Sequence, residues 1–207
     1  MTKPRIILIG AGGHAVSCID VIEQVSEFSI FGLVGKSSEL NKKLLGYEVI
    51  ATDEDYSRLI NQCPLALITV GQIKSPEIRI ALYEKTKQHG FELPTIISPS
   101  AYVSPHASIG SGTIIMPGAV INAGVRIGRN CIINSNALIE HNSEVHDHCH
   151  ISTGVILNGE VNIDVGTFIG SGSIVKQGIV IGKNCLVGMN VCIKHSIKSH
   201  QWSVNGD

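Results

Sequence analysis

The stretch Ile109-Gly-Ser-Gly-Thr-Ile-Ile-Met-Pro-Gly-Ala-Val-Ile121 carries the pattern that decides the fold, an aliphatic residue at every sixth position. The pattern extends in both directions over consecutive slots filled by Ile97, Val103, Ile109, Ile115, Ile121, Ile127, Ile133, Ile139, Val145, Ile151, Leu157, Ile163, Ile169, Val175, Ile181, Val187 and Ile193. Aliphatic residues fill roughly a third of positions in an ordinary chain, so chance would give such a run about once in 10⁸. The repeat is therefore a structural signal.

A second selective slot lies two residues before each aliphatic residue and holds small or β-branched side chains, among them Cys131, Cys149 and Cys185. A period of six fits neither a helix nor a plain strand. It suits short strands joined by tight corners, with one large and one small side chain directed inward on each side. Three such sides close one coil, and at about 4.8 Å per coil the prism would be about 25 Å tall.

Five glycines, Gly110, Gly128, Gly170, Gly182 and Gly188, directly follow an inward aliphatic residue. We expect them at corners where the backbone turns sharply or adopts a positive φ. The chain has six cysteines and no C-x-x-C pair, which argues against a zinc ribbon or redox motif. We expect these cysteines to be reduced and buried.

Residues 1–93 lack the six-residue period and alternate between strand and helix patterns. The patterns predict strands at 5–9, 29–34 and 65–70 and helices at 15–25, 53–61 and 76–89. We therefore predict two domains, a small Rossmann-like α/β domain over residues 1–93 and a parallel β-helix of hexapeptide repeats over residues 94–207.

The first strand-to-helix turn of the α/β domain is Gly10-Ala-Gly-Gly-His14. Glycines there allow a close backbone approach to a ligand, and the exposed amides of the following helix suit a phosphate. A complete G-x-G-x-x-G is absent, because Ala15 stands at the third small position. An anion site and a merely tight turn both remain open.

The charge balance and the N-terminus exclude some classes of function. The chain has 16 basic and 17 acidic residues, a net charge of −1, so it lacks the basic footprint of a nucleic-acid-binding protein. The apolar stretch at 5–9 is too short for a signal sequence or a membrane span. We expect a cytoplasmic protein with neither a nucleic-acid nor a membrane partner.

Four segments together resemble one family: Ile9-Gly-Ala-Gly-Gly-His14, Val70-Gly71 with Arg79, Ser98-Pro-Ser-Ala101 and Ile139-Glu-His141. Along essentially its whole length the chain is similar to the bacterial hexapeptide sugar acyltransferases, which include sialic-acid O-acetyltransferases and UDP-4-amino-sugar N-acetyltransferases. The resemblance implies a left-handed β-helix and a homotrimer with active sites between subunits. It also implies transfer of an acetyl group from acetyl-CoA to an amine or hydroxyl of a nucleotide-linked amino sugar, in surface polysaccharide or glycan biosynthesis.

The family's general base is the histidine of the I-E-H segment, which maps onto His141. An imidazole that titrates near pH 6.5 can accept the proton that an attacking amine or hydroxyl sheds. Relatives often place a carboxylate directly afterwards to hold the imidazole, whereas this chain has Asn142. We therefore expect Glu140, Glu144 or a neighbouring subunit to orient the ring.

The resemblance also implies the binding residues. The nucleotide sugar is expected at Gly12, Gly13, His14 and Gly71, with Asn134 near the acceptor sugar. An imidazole N–H of His150 is expected to bond the thioester oxygen, and the other residues expected to contact coenzyme A are Gly159, Ser171 and Met189.

Two features depart from the family pattern. Many members carry an acidic pair after the second strand that reads the base, but Val34 and Gly35 stand there in this chain. The identity of the nucleotide therefore stays open. Relatives usually continue into a G-x-P-A loop that covers coenzyme A; here we expect either that the chain ends before this loop or that Asn205-Gly-Asp207 is the start of a shortened version.

The run His146-Asp-His-Cys-His150 provides an alternative, because alternating histidines on a strand share one face and can hold a metal. The γ-class carbonic anhydrases have the same kind of β-helix and bind zinc at subunit interfaces, although they lack this N-terminal domain. A metal-binding β-helix protein and a non-catalytic scaffold are thus the alternatives. The acyltransferase interpretation expects no metal.

Overall fold

The computed structural model describes residues 3–203, which divide into two compact units. The first unit comprises residues 3–71 and 77–96, and the second comprises residues 72–76 and 97–203. The segment 72–76 thus packs with the second unit, although the chain on both sides of it belongs to the first. No helix within these residues is long and apolar enough to span a membrane. The tripeptide 205–207 lies outside the described residues.

The first unit is an α/β sandwich on a five-stranded sheet. Its elements are β1 (Arg5–Ile9), α1 (Gly13–Val25), β2 (Ser29–Val34), a 3₁₀ turn (Ser37–Glu39), β3 (Lys43–Leu44), β4 (Tyr47–Ala51), α2 (Tyr56–Leu59), β5 (Leu65–Ile68) and α3 (Glu77–Gln88). The strand order is β3-β4-β2-β1-β5, and only the β3–β4 pair is antiparallel. The predicted small Rossmann-like domain is confirmed.

Strand β5 and helix α3 are one or two residues shorter at their ends than predicted, and three further details of this unit differ from the sequence prediction. Helix α1 begins at Gly13 rather than residue 15, since its N-terminal residue Gly12 supplies no side-chain cap that would mark the start. Helix α2 is a single turn within the predicted 53–61, because the Asp55 carboxylate accepts a bond from the Thr52 amide (2.9 Å) and holds the preceding residues in a turn. The β3–β4 hairpin was not predicted.

A buried arginine holds the end of strand β5. Nη1 of Arg79 donates to the carbonyl oxygens of Ile68 (2.9 Å) and Val70 (2.7 Å), and the side chain is almost fully buried. The nearby Cys18 is also buried, and burial raises the pKa of its thiol to about 12. Arg79 therefore fixes the backbone that leads into Gly71.

The second unit is a three-sided parallel β-helix of two-residue strands. Between residues 96 and 193 these strands are Ile96–Ile97, Tyr102–Val103, Ser108–Ile109, Ile114–Ile115, Val120–Ile121, Arg126–Ile127, Ile132–Ile133, Leu138–Ile139, Glu144–Val145, His150–Ile151, Ile156–Leu157, Asn162–Ile163, Phe168–Ile169, Ile174–Val175, Val180–Ile181, Leu186–Val187 and Cys192–Ile193, here β6–β22, followed by β23 (Trp202–Ser203). The second residue of each strand from β6 to β22 is the aliphatic residue of the repeat. Register partners lie 18 residues apart, as Leu138, Ile156 and Ile174 do. The predicted coil is confirmed.

The three faces of the prism differ in what they present outward. The apolar face consists of β7, β10, β13, β16, β19 and β22, and its outward residues are Tyr102, Val120, Leu138, Ile156, Ile174 and Cys192. The polar face consists of β8, β11, β14, β17 and β20, with Ser108, Arg126, Glu144, Asn162 and Val180 outward. The third face consists of β6, β9, β12, β15, β18, β21 and β23.

Polar residues in the small inward slot are satisfied by neighbouring coils. The Ser143 hydroxyl donates to the carbonyl of Asn158 (3.0 Å) and accepts from the amide of Val161 (3.2 Å). Thr113, Thr167 and Ser173 make the same pair of bonds. Five of the six cysteines are buried as expected, but Cys192 is exposed because it takes the outward position of β22.

The expectation of a positive φ at the five glycines that follow aliphatic residues is wrong. The positive φ falls two residues later at every corner from 112 to 190, in Gly112, Gly118, Gly124, Asn130, Asn136, Asn142, His148, Gly154, Glu160, Gly166, Gly172, Gly178, Asn184 and Asn190. Gly110 serves close packing instead, since a Cβ there would lie 2.6 Å from the carbonyl carbon of Gly128. Apart from His148 and Glu160, the corner turn is thus made by Gly and Asn, the residues that tolerate this conformation best.

Two glycines with the same corner conformation separate backbone strain from steric contact. Gly118 and Gly178 both have φ of 71°, but a Cβ on Gly118 would collide with the Asn136 amide oxygen, whereas nothing lies within 4 Å at Gly178. Gly178→Ala should lower the free energy of unfolding by about 1–2 kcal/mol, the cost of a left-handed L-residue. Gly118→Ala should lower the free energy of unfolding by about 1 kcal/mol more than Gly178→Ala does, because its Cβ also collides with Asn136. Urea denaturation midpoints at one protein concentration measure both, and equal losses would contradict the steric contact.

Candidate active site

His141 stands at the corner between the apolar and polar faces, directly after β13. Its side chain is exposed, and its imidazole lies over Gly159, one coil further along. A Cβ on Gly159 would lie 2.7 Å from both Cε1 and Nε2 of the ring. The imidazole is therefore presented to solvent with one edge resting on backbone.

Asn142 is explained by the corner rather than by the base. Its φ is 59°, and its amide oxygen lies over Gly124, as the amide oxygens of three other corner asparagines lie over Gly118, Gly166 and Gly172. In this orientation its Nδ2 faces Nδ1 of His141 at 3.5 Å. An amide N–H cannot accept a proton from Nδ1, so it does not hold the ring as a carboxylate would.

The two glutamates expected to orient the ring have other partners in this chain. Glu140 accepts a bond from Nδ2 of Asn122 (2.9 Å). Glu144 pairs with Arg126 and lies 3.7 Å from Nε2 of His146. Neither carboxylate bonds to His141 within residues 3–203. Inside one protomer, the imidazole packs on Gly159 and lies 3.5 Å from the Asn142 amide nitrogen.

A second group of predicted site residues lies at the other edge of the apolar face. Nδ2 of Asn134 lies 3.2 Å from Nε2 of His150, and the Ser171 hydroxyl lies 2.9 Å from that of Ser152. Met189 is 75% exposed. The predicted site residues of the β-helix thus form two groups, with His141, Asn142, Glu140 and Gly159 at one edge and Asn134, Ser171 and Met189 at the other, beside His150 on the third face.

His150 is buried, and both of its ring nitrogens are engaged. Nδ1 lies 2.6 Å from the carbonyl oxygen of Gln72, which can only accept, so Nδ1 carries the proton. Nε2 is then the acceptor for the Asn134 amide. Gln72 also donates from Nε2 to the carbonyl of Gly166 (3.1 Å). Sequence reasoning missed Gln72, because a backbone carbonyl leaves no residue-type signal.

The histidine run does not form a shared face. His146 follows β14, His148 takes the left-handed corner position, and His150 begins β15, so the run turns a corner where strand alternation was assumed. His148 bonds through Nδ1 to Nδ2 of Asn130 (2.9 Å). Although partial burial raises the pKa of Asp147, its bonds to Arg129 lower the pKa below its usual value. In the described part of the chain, no three His, Cys, Asp or Glu side chains converge on one point.

In the first unit, the predicted substrate loop borders a cavity of about 410 Å³ at the carboxyl ends of β1, β2 and β5. Gly10 and Gly12 line it, and Gly13 begins α1 with no acidic residue in its first turn. A Cβ on Gly71 would lie 3.4 Å from Cβ of His14, so His14 lies close beside this glycine. Helix amides at the end of parallel strands suit an anion.

The same cavity has acidic residues that the sequence motif did not indicate. Val34 and Gly35, which stand where the family pattern has an acidic pair, line this cavity. Glu39 and Asp53 line it as well. Glu39 accepts a bond from the Lys36 amide (2.8 Å), and Asp53 pairs with Lys85 (2.8 Å). Carboxylates are thus present at this cavity, but they arrive from a 3₁₀ turn and a loop.

Comparisons with known protein families divide the chain in the same order. Residues 5–86 match the PglD N-terminal domain, residues 106–141 match the bacterial transferase hexapeptide of six repeats, and residues 161–194 match the hexapeptide repeat of succinyl-transferase. No curated protein matches the chain significantly in sequence.

Solved structures with the same architecture cover nearly the whole chain. A variant of perosamine N-acetyltransferase from Caulobacter crescentus, in complex with CoA and GDP-perosamine, is 28% identical over 97% of this chain and 93% of that one, with a TM-score of 0.91. The acetyltransferase domain of PglB from Neisseria gonorrhoeae, in complex with acetyl coenzyme A, is 27% identical over 95% and 94%, with a TM-score of 0.87. In both of its units the chain is thus similar to acetyltransferases of known structure.

These similarities confirm two predictions. The three-sided coil is a left-handed parallel β-helix that follows an α/β domain, and the protein is an acyltransferase. WeeI from Acinetobacter baumannii shares this fold, at 19% identity over 95% of this chain and 94% of its own with a TM-score of 0.81.

Proposed function

We propose that this acyltransferase moves the acetyl group of acetyl-CoA to an amine of a nucleotide-linked sugar, with His141 as the general base. The observation that carries the proposal is an exposed imidazole at the edge of the apolar face, in a chain similar along its length to enzymes bound to CoA, acetyl-CoA or GDP-perosamine. The Caulobacter enzyme is an N-acetyltransferase by description, which favours an amine over a hydroxyl acceptor.

The imidazole has a simple chemical task in this reaction. The sugar amine attacks the thioester carbonyl carbon, and a ring nitrogen of His141 accepts the proton that the amine sheds as the new bond forms. Collapse of the tetrahedral intermediate breaks the carbon–sulfur bond, and the proton passes to the departing thiolate. An exposed ring at a corner meets substrates from solution without any change of fold.

Lysines beyond His141 at the same edge support a polyanionic cofactor. Lys176 and Lys194 lie two and three coils past Glu140, about 10 and 14 Å along the prism. With His195 they border a groove of about 700 Å³. Neither lysine pairs with a carboxylate within residues 3–203. An extended pantetheine arm has the backbone bonds of four to five residues, about 15 Å, so CoA phosphates would reach these lysines.

The α/β domain is predicted over residues 1–93 and the β-helix over residues 94–207. In the proposed reaction the α/β domain binds the nucleotide sugar. Its glycine-rich turn and helix amides suit a diphosphate, with Gly12, Gly13 and His14 as the contacts and Gly71 beside His14. Because nucleotide sugars and acetyl-CoA are cytoplasmic metabolites, we place the reaction in the cytoplasm.

A homotrimer explains why the site residues lie at two edges. The apolar face presents Tyr102, Val120, Leu138, Ile156, Ile174 and Cys192 in one column, an unusual surface for a monomer. If these faces turn toward a threefold axis, the edge with His141 in one protomer meets the edge near His150 of the partner subunit. Each cleft would then combine Glu140, Asn142 and Gly159 with Asn134, Ser171 and Met189.

The function is tested with His141→Ala and with His146→Ala as control, an imidazole on the other side of the polar face. Thiol release from acetyl-CoA is followed with a panel of UDP-, GDP-, dTDP- and CMP-linked amino sugars. His141→Ala should lower kcat by roughly 10²–10⁴, whereas His146→Ala should leave kcat near that of the wild type. Thiol release that is absent with every sugar would favour a scaffold, and bound zinc in the purified protein would favour the metal-binding alternative.

The trimer is tested with two substitutions in one coil. Ile156→Lys places a charge in the middle of the apolar face, and Asn162→Lys places the same charge on the polar face. Sedimentation analysis should show that Ile156→Lys shifts the protein from a trimer toward a species of one third the mass. Asn162→Lys should stay trimeric. A monomeric wild type, or a trimeric Ile156→Lys variant, contradicts the proposed interface.

A further inference from the structure

We propose that Gly159 is a positioning residue. Because it has no side chain, the His141 imidazole can pack directly against its backbone. This inference rests on the proposed role of His141 as the base. It adds a steric role toward the histidine to the contact with coenzyme A that the family resemblance implies.

The steric evidence is direct. Of all heavy atoms around the position of a Cβ on Gly159, the three nearest belong to the His141 ring, with Cε1 and Nε2 at 2.7 Å and Cδ2 at 3.3 Å. Real Cβ atoms essentially never lie within 3.0 Å of such neighbours. Any side chain at this position would therefore push the Nε2 edge of the imidazole away from Gly159.

The backbone does not require a glycine at this corner. The residue with positive φ is the following one, Glu160, at 60°, and Gly159 itself is outside that region. The same slot in the other coils holds residues with side chains, namely Pro105, Ala123, His141, Gln177 and His195. All of these other coils thus accept a side chain in the slot, and glycine occurs in the coil against which the imidazole packs.

Burial supports the same conclusion. Gly159 is buried, whereas Ala123 and Gln177, one coil before and one coil after the pair, are exposed. The difference follows from the ring that covers Gly159. Because Glu140 and Glu144 do not bond to the imidazole within the protomer, its contacts there are the packing on Gly159 and the 3.5 Å approach of Asn142 Nδ2 to Nδ1.

The test variant is Gly159→Ala, with Ala123→Gly in the same slot as the control for activity and Gln177→Ala, which borders the lysine groove, as a control for the NMR signal. The His141 imidazole is the free end of an exposed side chain, so it can move aside with little loss of folding stability. Thermal unfolding should stay within about 2 °C of the wild type. The kcat should fall about 10- to 100-fold, with the KM for acetyl-CoA changed less than about threefold. The Ala123→Gly control should keep wild-type kcat.

Two further measurements separate positioning from other roles. In a His141→Ala background, Gly159→Ala should cause no further loss, because the ring that it displaces is absent. The His141 Cε1–Hε1 NMR signal, assigned by its loss in His141→Ala, should shift in Gly159→Ala and stay fixed in Gln177→Ala. Because this signal requires no catalytic turnover, it reports on the contact between the imidazole and Gly159 even if the wild type fails to transfer acetyl groups.

The outcomes separate cleanly. An unshifted His141 signal in Gly159→Ala overturns the inference. A raised KM for acetyl-CoA with unchanged kcat overturns it too, and assigns Gly159 to cofactor binding. A wild type without thiol release contradicts the proposed function instead, and the NMR comparison still decides whether Gly159 positions the ring.

Discussion

Stacking of each residue on the one 18 positions away is the constraint on which the rest of the molecule depends. Each strand of the β-helix donates and accepts backbone bonds with the strand one coil away, as the His150 amide does with the Thr167 carbonyl at 3.0 Å. Side chains therefore form columns, and a change in one column is felt one coil, or about 4.8 Å, away. The aliphatic column fills the interior, and the corner columns set what is presented to solvent.

This register also accounts for the arrangement of the candidate site. His141 and Gly159 are successive members of one corner column, so the imidazole lies on a neighbour that has no side chain. Asn142 belongs to the adjacent column of left-handed corner residues, where its amide oxygen covers Gly124. Asn at this position thus satisfies the corner, and the base is supported by packing rather than by an adjacent carboxylate.

The interior of the β-helix could be predicted from the sequence, because the six-residue period of Ile, Val and Leu reports inward direction without any knowledge of the corners. The corners could not be predicted from glycine alone. Gly110 and Gly128 mark close approach between coils, while Asn136 and Asn184 share the left-handed slot with Gly118 and Gly166. The assumption that His146 and His150 share a face failed because a corner lies between them.

Long-range contacts were beyond reach for a different reason. The bond from His150 to the Gln72 carbonyl joins residues 78 positions apart and uses a backbone atom, which no residue pattern reports. The acidic residues of the cavity in the first unit, Glu39 and Asp53, come from a 3₁₀ turn and a loop with no periodic signal. The family motif located the glycine-rich turn, but only the folded sheet places these carboxylates beside it.

The central claim is that His141 meets a thioester in a cleft between protomers. The most direct measurement is a crystal structure of the protein with coenzyme A and a GDP-linked amino sugar. The account predicts the pantetheine sulfur and the sugar amine within about 3–4 Å of the His141 ring or joined to it by one water, with Asn134 of the partner subunit lining the same cleft. Coenzyme A bound elsewhere, or a cleft in which His141 contacts neither ligand, would contradict it.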